Sequence, residues 1–157
     1  MDTERYLAEK TAIIFIGIQA SGKSTFYRER LSGLVHISLD ELNTRNKERL
    51  LLTECIENGR SFVIDNTDPE PADRQRYIEP ARAAGYRIVG CYFSSSISEC
   101  IARNALREGK ARIPEKGIAA THKKLVLPSY DEGFDELYFV KTADDGFICE
   151  RWEQNEL

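Results

Sequence analysis

Residues 13 to 26 read Ile13-Ile14-Phe15-Ile16-Gly17-Ile18-Gln19-Ala20-Ser21-Gly22-Lys23-Ser24-Thr25-Phe26. The first four form a continuous apolar run closed by glycine, the pattern of a strand buried on both faces of a parallel sheet. Gly17 to Ser24 then match GxxxxGK[ST], which acts as a phosphate-binding loop when a strand precedes it and a helix follows. Glycines let backbone N–H groups turn inward around phosphate oxygens, at the positive end of the next helix. Lys23 is placed to neutralise the β- and γ-phosphates, and the Ser24 hydroxyl to ligate Mg²⁺. The plain alternative is a glycine-bearing turn with a helix cap at Ser21. A chance match in a chain this long is on the order of 0.5%, so a nucleoside triphosphate is the expected ligand. Gly17, Gln19, Ala20, Ser21, Gly22, Lys23, Ser24 and Thr25 are its expected binding residues. The loop touches phosphates and ignores the base; ATP is expected, with GTP as the alternative.

Short apolar runs recur on either side of a helix-length polar stretch: Leu34 to Ser38, Phe62 to Ile64, Ile88 to Phe93 and Leu137 to Val140. This alternation predicts a doubly wound α/β fold with five parallel strands. Asn58-Gly59, Ala84-Gly85 and Glu108-Gly109 read as helix ends. Pro80 is expected to kink or split the helix running from Asp73 to Ala84. The acidic last dozen residues, with Trp152, are expected to pack over a sheet edge.

The chain has 157 residues, 41% of them hydrophobic, with 22 Lys and Arg against 26 Asp and Glu, a net charge of −4. That length fits one domain with one core, and the charge excludes a protein that coats nucleic acid by bulk electrostatics. Cys55, Cys91, Cys100 and Cys149 form no CxxC pair and have no ligand-like spacing to His36 or His122, so no zinc site is expected. No run approaches a membrane span, and the opening ten residues are charged rather than apolar. The expectation is a cytoplasmic protein with reduced thiols and no membrane partner. His36, His122, Tyr130 and Trp152 lack a chemical partner at motif spacing and are read as packing or surface residues.

In open α/β sheets ligands sit beyond the carboxyl ends of the strands, so acids just after the second and third strands face the γ-phosphate. Asp40 follows Val35-His36-Ile37-Ser38 after one residue and suits the orientation or deprotonation of an acceptor hydroxyl. Asp65 closes Phe62-Val63-Ile64 and suits Mg²⁺, bound directly or through water. The two roles are exchangeable at this level. Helix capping is the alternative for Asp40. For Asp65 that alternative is weaker, because Thr67 or Asp68, with Pro69 and Glu70, already offers a cap.

Charge is uneven along the chain. Between Arg103 and Lys124 there are seven Lys or Arg against two Glu, a local +5 that leaves −9 for the remainder. A solvated helix face is one reading of this stretch. A lid that compensates developing transition-state charge is the other.

Together these residues resemble a known family. The loop, Ser38-Leu39-Asp40, Val63-Ile64-Asp65-Asn66-Thr67-Asp68-Pro69, Arg74-Gln75-Arg76-Tyr77-Ile78 and Glu132-Gly133-Phe134 are similar to the kinase domain of polynucleotide 5′-hydroxyl kinases, in order from about Thr11 to Val140. The resemblance implies a P-loop NTPase three-layer sandwich over residues 1–157, with an arginine-bearing lid at about 103–114. It assigns Asp40 as general base beside the catalytic Lys23 and Arg107. It implies Arg107 clamping the β- or γ-phosphate, Arg103 stacking on adenine, and Arg74 and Arg76 meeting the acceptor. The family often carries an arginine where this chain has Leu39 or Asn43, and Arg45 is the nearest substitute.

The function so implied is ATP- and Mg²⁺-dependent transfer of a γ-phosphoryl to a hydroxyl, with a polynucleotide 5′-end as leading acceptor. A small hydroxyl compound or nucleotide sugar is the second acceptor class. A nucleotide-dependent binding module that needs no acceptor base is the reading from outside enzymes.

Overall fold

A computed structural model describes residues 1–94 and 96–153. In chain order the elements are α1 (Thr3–Ala8), β1 (Thr11–Ile16), α2 (Lys23–Arg30), β2 (Val35–Ile37), α3 (Leu39–Leu42), α4 (Arg45–Glu57), β3 (Phe62–Ile64), α5 (Pro71–Ala83), β4 (Arg87–Phe93), α6 (Ile97–Ala105), α7 (Glu115–Lys124), β5 (Glu136–Ala143) and β6 (Gly146–Trp152). The strands form one sheet in the order β2-β3-β1-β4-β5-β6. The first five are parallel, as the alternation predicts. β6 runs antiparallel to β5.

β1 lies at the centre, and every one of its residues is buried. Because side chains alternate across a strand, it supplies both layers of the core. Ala12, Ile14 and Ile16 pack with Leu52 and Cys55 of α4 and Tyr77, Ile78 and Ala81 of α5. Ile13 and Phe15 point the other way, onto Tyr6 of α1 and Phe26 of α2. Each fully buried aliphatic or aromatic side chain contributes roughly 1.5–3 kcal/mol, so this strand anchors both helical layers. Phe15, Phe26 and Phe93 meet edge to face, with centroids 4.8 to 6.0 Å apart.

Gly90 in β4 answers a packing demand. A Cβ there would stand 2.7 Å from Leu137 Cδ2 and 2.8 Å from Phe134 Cε1, inside the core.

The C-terminal residues do more than cover an edge. Gly146 to Trp152 pair with β5 from Ala143 back to Leu137 and become the sheet's sixth strand. Trp152 lies against Tyr92 and Phe139, at 5.9 and 5.5 Å, and its carbonyl accepts the Tyr130 hydroxyl. Residues 154–157 of that acidic stretch lie outside the described residues.

Three local expectations are corrected. α5 is not split: it is one continuous helix from Pro71 to Ala83 with Pro80 inside it. Its cap is Glu70 paired with Asp73, with Pro71 in the first turn, not Thr67 or Asp68. α6 ends at Ala105, and Gly109 opens a separate 3₁₀ turn rather than closing that helix.

Candidate active site

The carboxyl ends of β1, β2 and β3 lie side by side, so the segments after them share one edge of the sheet. After β1 the chain passes through two left-handed residues, Ala20 at φ 62° and Gly22 at φ 96°. Alternation of this kind turns successive N–H groups toward a common point and makes an anion-binding concavity. Gly22 caps α2 in that conformation, and a Cβ on it would reach 3.0 Å from the Phe147 ring. Ser21 is therefore not the cap. At Gly17 a Cβ would stand 3.0 Å from Phe93 Cβ and 3.1 Å from Ser21 Oγ, so a larger residue would push the loop off the sheet. The Gly17 N–H donates to the Thr67 carbonyl at 3.0 Å, which ties the loop to the segment after β3.

Lys23 opens α2. It is 9% exposed, and its ammonium donates to the carbonyls of Gly17 and Ile18 at 3.0 and 2.8 Å. Burial lowers its pKa, against the pull of the Asp65 carboxylate. One residue on, Ser24 Oγ donates to Asp65 Oδ2 at 2.7 Å. Burial pushes the Asp65 pKa up, but the hydrogen bond from His36, the Lys23 charge and the Ser24 hydroxyl outweigh it and hold the acid ionised below its ordinary range.

His36 is the residue the sequence did not reveal. Its Nε2 lies 2.8 Å from Asp65 Oδ2 and its Nδ1 2.8 Å from Glu41 Oε1. Its ring stacks on Tyr27 with centroids 4.1 Å apart. Burial works to lower its pKa, but the two carboxylates prevail and raise it. The doubly flanked ring suits the imidazolium, whose two N–H groups both donate. The available signal was the parallel register, which pairs His36 with Val63 and so puts it near the acid that ends β3.

Asp40 lies in the first turn of α3 and is exposed. The N-cap position belongs to Ser38, so capping is not the role of Asp40. The Leu39 N–H donates to Asn66 Oδ1 at 3.0 Å, which fixes α3 against the segment after β3. Beside it opens a cleft of about 240 Å³ lined by Leu39, Arg45, Asn66, Asp68, Asp73 and Lys124, among others. Under its wall the buried Glu48 carboxylate accepts from Arg45 Nη1 at 2.9 Å, Asn66 Nδ2 at 2.9 Å and the Tyr77 hydroxyl at 3.1 Å. Burial pushes the Tyr77 hydroxyl up to about 12, with Asp68 and Glu48 adding to it. Tyr77 therefore stays a donor throughout the physiological range.

Arg74 does not meet an acceptor. It is fully buried, and its guanidinium donates to both Glu132 oxygens at 3.0 Å and to the carbonyls of Asp68, Pro69 and Val126. It is a latch that holds the segment after β3 to the chain before β5. Arg76 lies on the exposed side of α5.

The basic stretch caps the loop. Arg103 of α6 donates to the Ala20 carbonyl at 3.1 Å and to Thr142 Oγ1 at 2.9 Å, which fixes the plane of its guanidinium. Arg107 follows in the connection to α7, half-buried, and its charge opposes protonation of Lys23. Asn104 closes that connection: its amide pairs with the Ile113 carbonyl and N–H at 2.5 and 2.8 Å. Gln19 donates to Thr121 Oγ1 at 3.1 Å, and Ile18 and Ala20 pack with Cys100 and Ile118. The lid helices thus sit directly on the loop.

Among the described residues no three His, Cys, Asp or Glu side chains converge as a metal cage. Ser24 and Asp65 nevertheless bring a hydroxyl and an ionised carboxylate together. That donor set fits Mg²⁺, which takes one or two protein oxygens and completes its shell with phosphates and water.

Comparison with known proteins places these features in context. A family profile described as an AAA domain matches residues 13–128. A protein of Acanthamoeba polyphaga mimivirus named as a bifunctional polynucleotide phosphatase/kinase is 29% identical over 150 residues, which is 87% of this chain and 36% of that one. The bifunctional polynucleotide phosphatase/kinase of Schizosaccharomyces pombe is 26% identical over 127 residues, 78% of this chain and 31% of that one. The chain thus spans about a third of the length of these relatives. Among solved structures, Chaetomium thermophilum Kti12 in complex with ADP-AlF₃ shares the fold, with a TM-score of 0.65 at 14% identity, over 85% of this chain and 90% of that one. Among the described residues no helix is long and apolar enough to cross a membrane.

Proposed function

This chain belongs to the AAA-domain family matched by its residues 13–128, a P-loop kinase domain, and on that premise we propose that it moves the γ-phosphoryl of ATP to an acceptor hydroxyl in the presence of Mg²⁺. The leading acceptor is a polynucleotide 5′-hydroxyl. One observation carries the reading. Asp40 stands at the carboxyl edge of the sheet with no hydrogen bond or ion pair to any described residue, one strand from the Ser24–Asp65 pair. A carboxylate left open at that place can accept a proton from outside.

In this reading the loop N–H groups from Gly17 to Thr25 hold the phosphate chain, and Lys23 offsets the charge of the β- and γ-phosphates. Ser24 and Asp65 would hold Mg²⁺, which spreads the charge that builds on the transferring group. Asp40 takes the proton of the acceptor hydroxyl as its oxygen bonds to the γ-phosphorus, and the bond to the β-phosphate oxygen breaks to release ADP. Arg107 stabilises the transferring group from the lid, and Arg103 holds the lid to the loop. GTP is the alternative donor.

With a polynucleotide 5′-hydroxyl still the leading acceptor, the cleft suits a short 5′-end, or the alternative small molecule, better than a long polyanion. Asp68, Glu70 and Asp73 stand in the cleft against Arg45 and Lys124, and a polynucleotide track requires several phosphate contacts. The test is transfer of labelled γ-phosphate from ATP to a 5′-hydroxyl oligonucleotide and, separately, to sugars and polyols. Labelled oligonucleotide supports the leading acceptor; label on the small compounds alone replaces it; no label on anything sinks the enzyme reading.

A further inference from the structure

The cleft beside Asp40 holds a carboxyl group that this scheme does not use. Asp68 is 4% exposed and stands in the cleft wall with Leu39, Arg45 and Asn66. Its Oδ2 is buried and has no hydrogen-bond partner among the described residues. Leaving a buried polar atom in that state is destabilising, and such atoms are few in native proteins. The backbone adds to the penalty: Asp68 sits at φ 42°, in the left-handed region. Non-glycine residues persist there when the surroundings force them to, and they gather at ligand clamps and active sites. Here the force is visible. The Asp68 carbonyl is pinned by Arg74 Nε at 3.0 Å, and Arg74 is in turn locked on Glu132.

The chemistry of the group narrows its ligand. Burial raises the pKa of Asp68 well above its ordinary value, and Asp73 and Glu48 push it the same way against Arg45 and Arg74. Whatever its charge, the unpartnered oxygen accepts a hydrogen bond, so its complement is a donor such as a hydroxyl. A phosphate oxygen is itself an acceptor, and its partners in this cleft would be Arg45 and Lys124 instead.

We propose that Asp68 is a specificity-determining residue that hydrogen-bonds a second, non-reacting hydroxyl of the acceptor, so that a ribose-bearing end or a free sugar is preferred to its deoxy counterpart. The inference rests on the reading of Asp40 as the residue that meets the reacting hydroxyl. A sugar hydroxyl donates and accepts at once, and the 2′-hydroxyl is the group by which proteins tell RNA from DNA.

The experiment is calorimetry on the full chain saturated with Mg²⁺ and a non-hydrolysable ATP analogue. It is titrated with 5′-hydroxyl dinucleotides that differ only in the 2′-hydroxyl of the first sugar, and with ribose against 2-deoxyribose. The expected result is binding about 5- to 10-fold tighter for the hydroxylated member of a pair, the size of one net hydrogen bond. Preference among dinucleotides alone supports the contact on a nucleic-acid end; preference among free sugars supports it on a small acceptor. Asp68→Gly, which suits the left-handed backbone, is expected to bring the pair within about twofold. Asp68→Asn, whose amide donates and accepts, is expected to keep most of the preference. Equal binding of both members, binding of neither, or a preference that survives Asp68→Gly overturns the proposal. Phosphoryl transfer without sugar preference leaves the kinase reading standing and removes this one; an Asp68-dependent preference without any transfer does the reverse.

Discussion

Glu136 begins β5 at the amino edge of the sheet, fully buried, and accepts from Arg5 at 2.5 Å, Arg87 at 2.6 Å and the Tyr138 hydroxyl at 2.8 Å. Asp40, at the opposite edge, accepts nothing from the described residues, and Asp68 Oδ2 is buried without a partner. Both edges concentrate charge, yet one pairs its buried acid with three donors and the other leaves acid oxygens open. That network holds α1 and the starts of β4 and β5 together and leaves the Glu136 carboxylate no capacity for a ligand, although Arg5 Nε beside it is buried without a partner. The buried open group, Asp68, reduces stability where it stands, whereas exposed Asp40 is hydrated, and either can take a substrate's hydrogen.

The largest expected effect falls on the open edge. Asp40→Asn keeps the shape of the side chain and removes its ability to take a proton, so kcat for phosphoryl transfer is expected to fall about 10²- to 10⁴-fold. Nucleotide affinity, measured by calorimetry on the same variant, is expected to stay within about threefold, because the loop's contacts are made elsewhere. Unchanged turnover would break the contrast between the edges by showing that the open carboxylate has no task.

Arg74 tests the contrast from the other direction, since it lies near the open edge but is bonded like a member of the closed one. Arg74→Ala leaves the largely buried Glu132 carboxylate without its cation, and stability is expected to fall by about 3–5 kcal/mol in urea denaturation. Removing the Glu132 charge as well, in Arg74→Ala/Glu132→Gln, is expected to restore part of that loss. At a temperature where Arg74→Ala remains folded, the KM for ATP should not move, while any change in acceptor KM should accompany the loss of stability, because Arg74 pins the Asp68 carbonyl. A raised acceptor KM with stability intact would return Arg74 to substrate binding.

How much of this was legible follows the range of the interactions. The loop was readable because its demands are local: the glycines are set by backbone angles and close approaches within a few residues. Asp40 and Asp65 were readable because strand ends are local too, and the parallel topology sends them all to one edge. His36 was not, because its meaning lies in the register of β2 on β3 and in Glu41 turning back toward it. Arg74 and Arg76 look alike on a helix. Only the partner, Glu132, 58 residues away, makes one of them a latch. β6 escaped for a related reason. Its charged residues obscure the alternation, and what makes it a strand is the unpaired edge of β5 beside it. Asp68 read as a capping candidate, and its orphaned oxygen became visible only with three-dimensional packing.

The smallest expected effect sharpens the contrast through pH. Burial pushes the Glu136 pKa up, but hydrogen bonds from Arg87, Arg5 and Tyr138 outweigh it, so the folded value lies below the ordinary 4.5. A carboxylate with a depressed folded pKa contributes stability that is present above the unfolded value and lost as pH falls through the folded one. The partner arginines are partly exposed, with side chains 38% and 37% accessible, so solvent screens much of the attraction. The gain is expected to be about 1–2 kcal/mol rather than the full value of a buried pair. Urea denaturation of Glu136→Gln beside the unaltered chain should show that difference at pH 7, and the two curves should converge below the folded pKa. Glu136→Gln is also expected to leave the KM values for ATP and acceptor unchanged, because the network sits at the far ends of the strands from the loop. A stability gap that persists at low pH would mean that packing, not charge, closes this edge. A shifted acceptor KM would mean that the two edges are coupled through the sheet.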